Sequence, residues 1–196
     1  MELLSDEQLV ALTREGDVKA YNSLVTRWES SLYGFVRRTL GNPEDARDVC
    51  QEALTKAYVN IRRLREGSKF KSWVHHIAFN ICRDRFRARR SEVEMRSFDE
   101  EDATALDVPD HVAQTAAADH GATKISLHGV LGDVLRRVPV EQRTAILLRE
   151  YHGFTSEEIA EITGVPAATV RTRIYYGLRL VRRILKQRGI TESDLL

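Results

Sequence analysis

Thr155-Ser156-Glu157-Glu158-Ile159-Ala160-Glu161-Ile162-Thr163-Gly164-Val165-Pro166, running on through Ala167 to Arg179, spells two helices joined by a tight turn. Thr155 and Glu158 stand at capping-box spacing, so each side chain can satisfy a backbone N–H at the start of the first helix. Gly164, Val165 and Pro166 make the turn, with glycine suited to the left-handed residue after a helix. The following helix buries Val170, Ile174, Leu178 and Val181 on one stripe, which turns Arg171, Thr172, Arg173, Tyr175, Tyr176 and Arg179 toward its other faces. Two helices in this relation form a helix-turn-helix. The second, braced by the first, can place its N-terminal half in a major groove, where Arg reads guanine and Thr meets bases or phosphate. Arg171 is the leading base reader, and a helical hairpin with merely solvated arginines is the bland alternative.

Working back toward the N-terminus, Ile125, Leu127, Val130, Leu131, Val134, Leu135 and Val138 keep helical spacing. Pro139 then opens a helix containing Ile146, Leu147 and Tyr151 that closes at Gly153. Residues 125–196 therefore form one small helical domain. From Glu92 to Asp119 the periodicity fails: apolar residues are sparse, Pro109 interrupts, and Asp99, Glu100, Glu101 and Asp102 crowd together. Residues 92–124 are expected to be an acidic linker.

Residues 1–91 are again helical. Ser5 and Gln8 resemble a capping box before Leu9, Val10 and Leu12, and Gly16 with Asp17 ends that helix and caps the next. Tyr21, Leu24, Val25, Trp28, Leu32, Phe35, Val36 and Leu40 form a second stripe, ended by Gly41, with Asn42 and Pro43 opening a third helix. That helix buries Ala46, Val49, Cys50, Ala53, Leu54, Ala57, Tyr58 and Ile61, leaving Asp45, Asp48, Gln51, Glu52 and Lys56 outside. After a loop from Arg65 to Lys71, Ser72 is expected to cap a helix with Trp73, Val74, Ile77, Ala78 and Ile81 on its core side. The fold class is all-α: two small helical domains joined by the linker.

The 196 residues carry a formal net charge of +1, with 42% hydrophobic and 30% charged residues, so the overall balance points to no partner. The distribution does. Between Arg62 and Arg90 stand ten Lys or Arg against Glu66 and Asp84, while the linker is acidic, an asymmetry that suits work on nucleic acid. No apolar run approaches the roughly 20 residues that span a bilayer, and Met1 to Ala11 is acidic and amphipathic, unlike a signal peptide. A cytoplasmic protein without membrane insertion is expected. Cys50 and Cys82 lie in or beside apolar stripes and read as buried thiols rather than a redox switch. His75 and His76 point about 100° apart on a helix, an arrangement unsuited to one metal ion, so neither a metal nor a cofactor is expected.

The stretch Leu148 to Ile162, LeuArgGluTyrHisGlyPheThrSerGluGluIleAlaGluIle, with ThrValArgThrArgIle (Thr169 to Ile174), is similar to region four of extracytoplasmic-function sigma factors. GlyAspValLysAlaTyrAsnSerLeuVal (Gly16 to Val25), AspAlaArgAspValCysGlnGluAla (Asp45 to Ala53) and SerTrpValHisHisIleAlaPheAsnIleCysArgAsp (Ser72 to Asp84) resemble that family's region two, in the same order. Together they cover most of the chain outside the linker. The resemblance implies a subunit that brings RNA polymerase to promoters and is itself no enzyme. It implies docking of Asp45, Asp48, Gln51 and Glu52 on the clamp helices of the polymerase's largest subunit, with a further contact on the flap of the second subunit. It places minus-10 recognition on the loop Gly67 to Lys71 and the helix after it. There Ser68, Lys69 and Phe70 offer a hydroxyl, a cation and an aromatic face, with Lys71 beside them, and Asn80, Arg83 and Arg87 could hold the backbone. The other reading makes Phe70 and Trp73 core residues, which suits Trp73 in particular because it lies on the stripe. It places minus-35 recognition on Thr169, Arg171, Thr172, Arg173, Tyr175, Tyr176 and Arg179. An anti-sigma factor is a further implied partner, with the clamp-binding face and the recognition helix as its targets.

One departure from the family pattern is Tyr176-Gly177, where a basic residue and then Ala are usual. The glycine costs roughly 1 kcal/mol of helix propensity and the tyrosine removes a phosphate contact. Two rival readings compete. A helix-turn-helix regulator acting without being a polymerase subunit would share the last sixty or so residues, but its sensor would need strands ending in acidic residues, and the N-terminal half is helical with a basic end. A nuclease holding Mg²⁺ on Asp99 to Asp102 would need carboxylates on a scaffold, and these lie in the linker.

Overall fold

Ser5 Oγ accepts the amide of Gln8 and Gln8 returns a bond to the Ser5 amide, so α1 (Asp6–Arg14) starts on the anticipated capping box. Gly16, at φ 100°, turns the chain into α2 (Val18–Leu40), whose N-cap Asp17 accepts two amides. Gly41 ends α2 in the left-handed conformation that a side chain would disfavour, and Asn42 and Pro43 open α3 (Pro43–Asn60). The computed structural model describes residues 4–98 and 127–190, and among these no strand occurs.

Two short 3-10 turns, Ile61–Arg63 and Gly67–Lys69, lead into α4 (Phe70–Phe98). Ser72 is thus a first-turn residue rather than the cap: its hydroxyl donates to the Lys69 carbonyl at 3.0 Å. The helix also continues through residues 92–98, beyond the point where its apolar stripe ends, because helical backbone bonds do not require a buried face. Leu24, Leu32, Phe35 and Val36 of α2, Val49 and Ala53 of α3 and Phe70, Val74 and Ala78 of α4 are buried together. α1 lies across the loop before α4. Its Arg14 donates to the Leu64 carbonyl, and Gly67 comes so close that a Cβ there would stand 2.8 Å from Glu7 Cα.

The second half folds as α5 (Leu127–Arg136), α6 (Val140–Ile146), a π turn over Leu147–Tyr151, α7 (Ser156–Thr163) and α8 (Ala167–Gln187). Thr155 and Glu158 form the expected capping box, and Gly164, at φ 71°, ends α7. Gly177 is the point where α8 crosses α6: a Cβ would stand 2.7 Å from Ile146 Cδ1 and 3.1 Å from Gln142 Cβ. Its loss of helix propensity therefore has a structural counterpart, a helix crossing too close for alanine unless Ile146 and α6 shift.

The two halves share one apolar core. α7 lies along α4, and the π turn and α6 meet the C-terminal half of α2. The acidic residues Asp99 to Asp102, the linker from residue 99 onward and residues 191–196 lie outside the described residues.

Candidate nucleic-acid interface

α8 is built as its stripe requires. Val170 and Val181 are buried, Ile174 and Leu178 partly so, and the opposite face presents Arg171, Thr172, Tyr175, Tyr176 and Arg179 to solvent. Thr169 and Arg173 are half-buried at its edges. Tyr175 and Tyr176 are 61% and 52% exposed and meet edge to face with ring centroids 5.2 Å apart. The pair presents an aromatic surface with hydroxyl tips on the open side of α8. Arg171 is held by Glu157 of α7 at 2.6 Å. Both side chains are exposed, so the pair is weakly held and can exchange the carboxylate for guanine at small cost.

The first-domain candidates divide. Ser68, Lys69, Arg83 and Arg87 are exposed, whereas Lys71 and Asn80 are half-buried. Phe70 is fully buried, with its ring centroid 6.5 Å from Tyr21 and 6.2 Å from Trp73. The expectation of an open aromatic face at Phe70 is corrected here: the side chain starts α4 by filling the core under the loop, and burying it removes it from reach of a base. Trp73 is half-buried and packs against the same core, as its place on the stripe implies.

This face is also where the second domain rests. Lys71 Nζ donates to the His152 carbonyl at 2.7 Å and lies 4.4 Å from the centroid of Phe154. His76 Nδ1 meets the Ile162 carbonyl at 2.8 Å, near the end of α7, while its Nε2 is 2.9 Å from Asn80 Nδ2. Lys69 pairs with Glu161 at 3.7 Å. Farther along, Arg143 of α6 is buried and donates to the Thr39 carbonyl at 2.9 Å, so a guanidinium closes the C-terminal end of α2. Burial lowers the Arg143 pKa from its ordinary value. None of these cross-domain partners is evident from periodicity.

Of the α3 candidates, Asp48 and Gln51 are exposed, Glu52 pairs with Lys56 at 2.7 Å, and Asp45 accepts from Arg85 and Arg89 of α4. Gln51 opens on a cleft of about 820 Å³ between α2 and α3, which Tyr21, Tyr33, Leu54 and Tyr58 line. Glu52 faces a smaller hollow toward α4. The expected polar face is therefore a ridge with an apolar cleft on one side. Periodicity does not show that cleft because Leu54 and Tyr58 read as core, whereas Tyr58 is exposed and Leu54 only half-buried.

Two family models match the chain: Sigma-70 region 2 over residues 24–92 and Sigma-70, region 4 over residues 128–181. The ECF RNA polymerase sigma-E factor of Haemophilus influenzae is 33% identical over 92% of this chain and 95% of its own length. The chain belongs to the ECF sigma factors of the sigma-70 family. It is thus an RNA polymerase sigma factor that directs promoter transcription. The RNA polymerase sigma-H factor of Pseudomonas aeruginosa is 28% identical over 92% of this chain and 94% of its own. The sigma factor RpoE of Bartonella quintana, solved in complex with the anti-sigma factor NepR, has the same fold, with a TM-score of 0.66, 23% identity and coverage of 86% and 98%.

As a sigma factor, the protein leaves the polar face of α8 in region 4 open to solvent, while α7 lies against α4 of region 2. Among the described residues, no helix is long and apolar enough to cross a membrane, and no group of His, Cys, Asp and Glu is arranged to hold a metal ion.

Proposed function

We propose that this sigma factor reads the minus-35 element through Thr169, Arg171, Thr172, Arg173, Tyr175, Tyr176 and Arg179 on α8. It reads the minus-10 element through Ser68, Lys69, Lys71, Asn80, Arg83 and Arg87, with Phe70 supporting the loop from inside. The observation that carries this is the polarity of α8: one side packs on α6 and α7, and the other exposes cations, a hydroxyl and two aromatic rings along the first turns, where a major groove would receive them. The ridge Asp48, Gln51 and Glu52, with Asp45 held behind it by two arginines, docks on the clamp helices of the polymerase's largest subunit, and region 4 meets the flap of the second. The protein works in the cytoplasm, contributes binding rather than catalysis, and is restrained by an anti-sigma factor.

The assignment of the two elements is tested by tethering an iron chelate, in the holoenzyme, at Thr172→Cys or at Arg83→Cys. Cys50 and Cys82 are buried, so labelling falls on the introduced thiol. Cleavage centred near minus 35 from position 172 and near minus 10 from position 83 is expected. The reverse order, or cleavage at neither element, contradicts the assignment.

A further inference from the structure

Where the π turn of the second domain meets α2 and α4 of the first, two imidazoles are packed into the shared core. His75 of α4 is fully buried and His152 half-buried, with ring centroids 5.1 Å apart. His75 Nδ1 meets the Lys71 carbonyl at 2.8 Å and His152 Nδ1 meets Ser31 Oγ of α2 at 3.0 Å. In both rings Nε2 is buried and has no partner among the described residues. The remaining surroundings are aromatic: Phe35 and Phe154 lie against both rings.

The charged groups facing this cluster are cations. Lys71 of α4 binds the His152 carbonyl, and Arg38 of α2 covers the neighbouring Tyr151 ring at 4.5 Å. On the second domain's side Arg149 is committed to the Phe154 carbonyl. Glu161, the carboxylate in the cross-domain ion pair given above, is occupied with Lys69. A proton added to either Nε2 would therefore find no acceptor among the described residues and would add a positive charge beside an ammonium and a guanidinium.

We propose that this seam is a proton-operated latch: His75 and His152 hold the two domains together only while uncharged, and protonation releases region 4 from the region 2 loop face. The regulatory meaning rests on the promoter assignment proposed above, since the released face is the one that carries Lys69, Lys71 and Asn80. The latch itself rests on the geometry of the seam.

Burial, reinforced by the neighbouring cations, pushes His152 down to about 4 from an ordinary 6.5. Burial chiefly, with His152 and Lys71 contributing, pushes His75 to about 3 against the opposing bond to the Lys71 carbonyl. Both shifts have the sign of a group that resists charging in the closed form. The seam is thus at full strength above pH 6.5 and weakens as pH falls below it. Each imidazole that becomes solvated on opening favours the open form about tenfold at pH 5.5, so the two together favour it about a hundredfold.

The test is small-angle X-ray scattering of the full chain from pH 7.5 to 5.0, with far-UV circular dichroism confirming that the helices persist. The expected result is a rise in radius of gyration below pH 6.5. The logarithm of the open-to-closed ratio should climb by up to two for each pH unit lost, and His152→Gln should reduce that slope by about one. A radius of gyration independent of pH, or an unchanged slope in His152→Gln, overturns the latch. In parallel, binding of a single-stranded minus-10 oligonucleotide is followed over the same pH range. Opening without a gain in binding relative to an acid-independent control strand upholds the latch and overturns the promoter assignment of the face.

Discussion

Gly177→Ala sets helix propensity against packing at one atom. On propensity alone the substitution should stabilise α8 by about 1 kcal/mol, and burying one more methyl group would add about 0.8 kcal/mol. The crossing with α6 opposes both: the new Cβ would lie 2.7 Å from Ile146 Cδ1, in a side chain only 3% exposed, and 3.1 Å from Gln142 Cβ, which is fixed to the α6 backbone. A core that must shift to admit a methyl group typically loses about 1 to 3 kcal/mol, and here the overlap with Ile146 Cδ1, beside a tight contact at Gln142 Cβ, also prevents the burial gain from being realised. The net expectation is destabilisation by about 1 kcal/mol, or a drop in Tm of roughly 2 to 4 °C for a chain of this size. Thermal unfolding followed at 222 nm measures it. Ile146→Val removes the Cδ1 atom that the new methyl meets first, so the double variant should recover part of the loss, a coupling that separate sites would not show. A rise in Tm on Gly177→Ala alone would refute the close-crossing argument and return Gly177 to a simple cost in propensity.

Arg171→Ala should lower affinity for minus-35 duplex by about 5- to 150-fold, the worth of a bidentate base contact, and reduce discrimination at one base pair. Fluorescence anisotropy on single-substitution duplexes checks both; equal losses on every sequence would make Arg171 a phosphate contact instead. Burial pushes the Cys50 and Cys82 thiols up to about 12. The thiolate fraction at pH 8 is then on the order of one part in ten thousand, and reaction with a disulfide reagent should be slow until the chain unfolds. Free sigma factor should melt promoter DNA poorly. Each base-pair step costs about 1.4 kcal/mol to open and a captured base returns about 1 to 3 kcal/mol, so one or two captured bases cannot hold a bubble. Permanganate reactivity of promoter thymines should depend on added core polymerase, and strong reactivity with the free protein would contradict this.

The helices were legible because local chemistry and periodicity agreed. Both capping boxes, the Gly41 stop with its Asn42-Pro43 restart, and the α7 to α8 turn at Gly164 formed where their residues required. The helix-turn-helix was legible for the same reason: its exposed polar face is what the buried stripe leaves over. Loop residues were harder. Phe70 looked like an available ring because nothing local distinguishes an aromatic that caps a core from one that waits for a base, and the difference lies in Tyr21, some fifty positions away in the chain. The α4 start moved from Ser72 to Phe70 because a 3-10 turn feeds directly into the helix. The seam was out of reach for a stronger form of the same reason. His75, His152 and Arg143 each satisfy an unremarkable position in their own helix or turn, and their roles arise from carbonyls and rings contributed by the other domain.

This chain confers promoter specificity on RNA polymerase, and run-off transcription is the most direct test. Purified core polymerase and genomic fragments, with and without the protein, should yield new defined start sites preceded by a shared two-part motif. Transcription unchanged by the protein, despite sequence-specific binding of the same fragments, would contradict this and leave a DNA-binding regulator in place of a polymerase subunit.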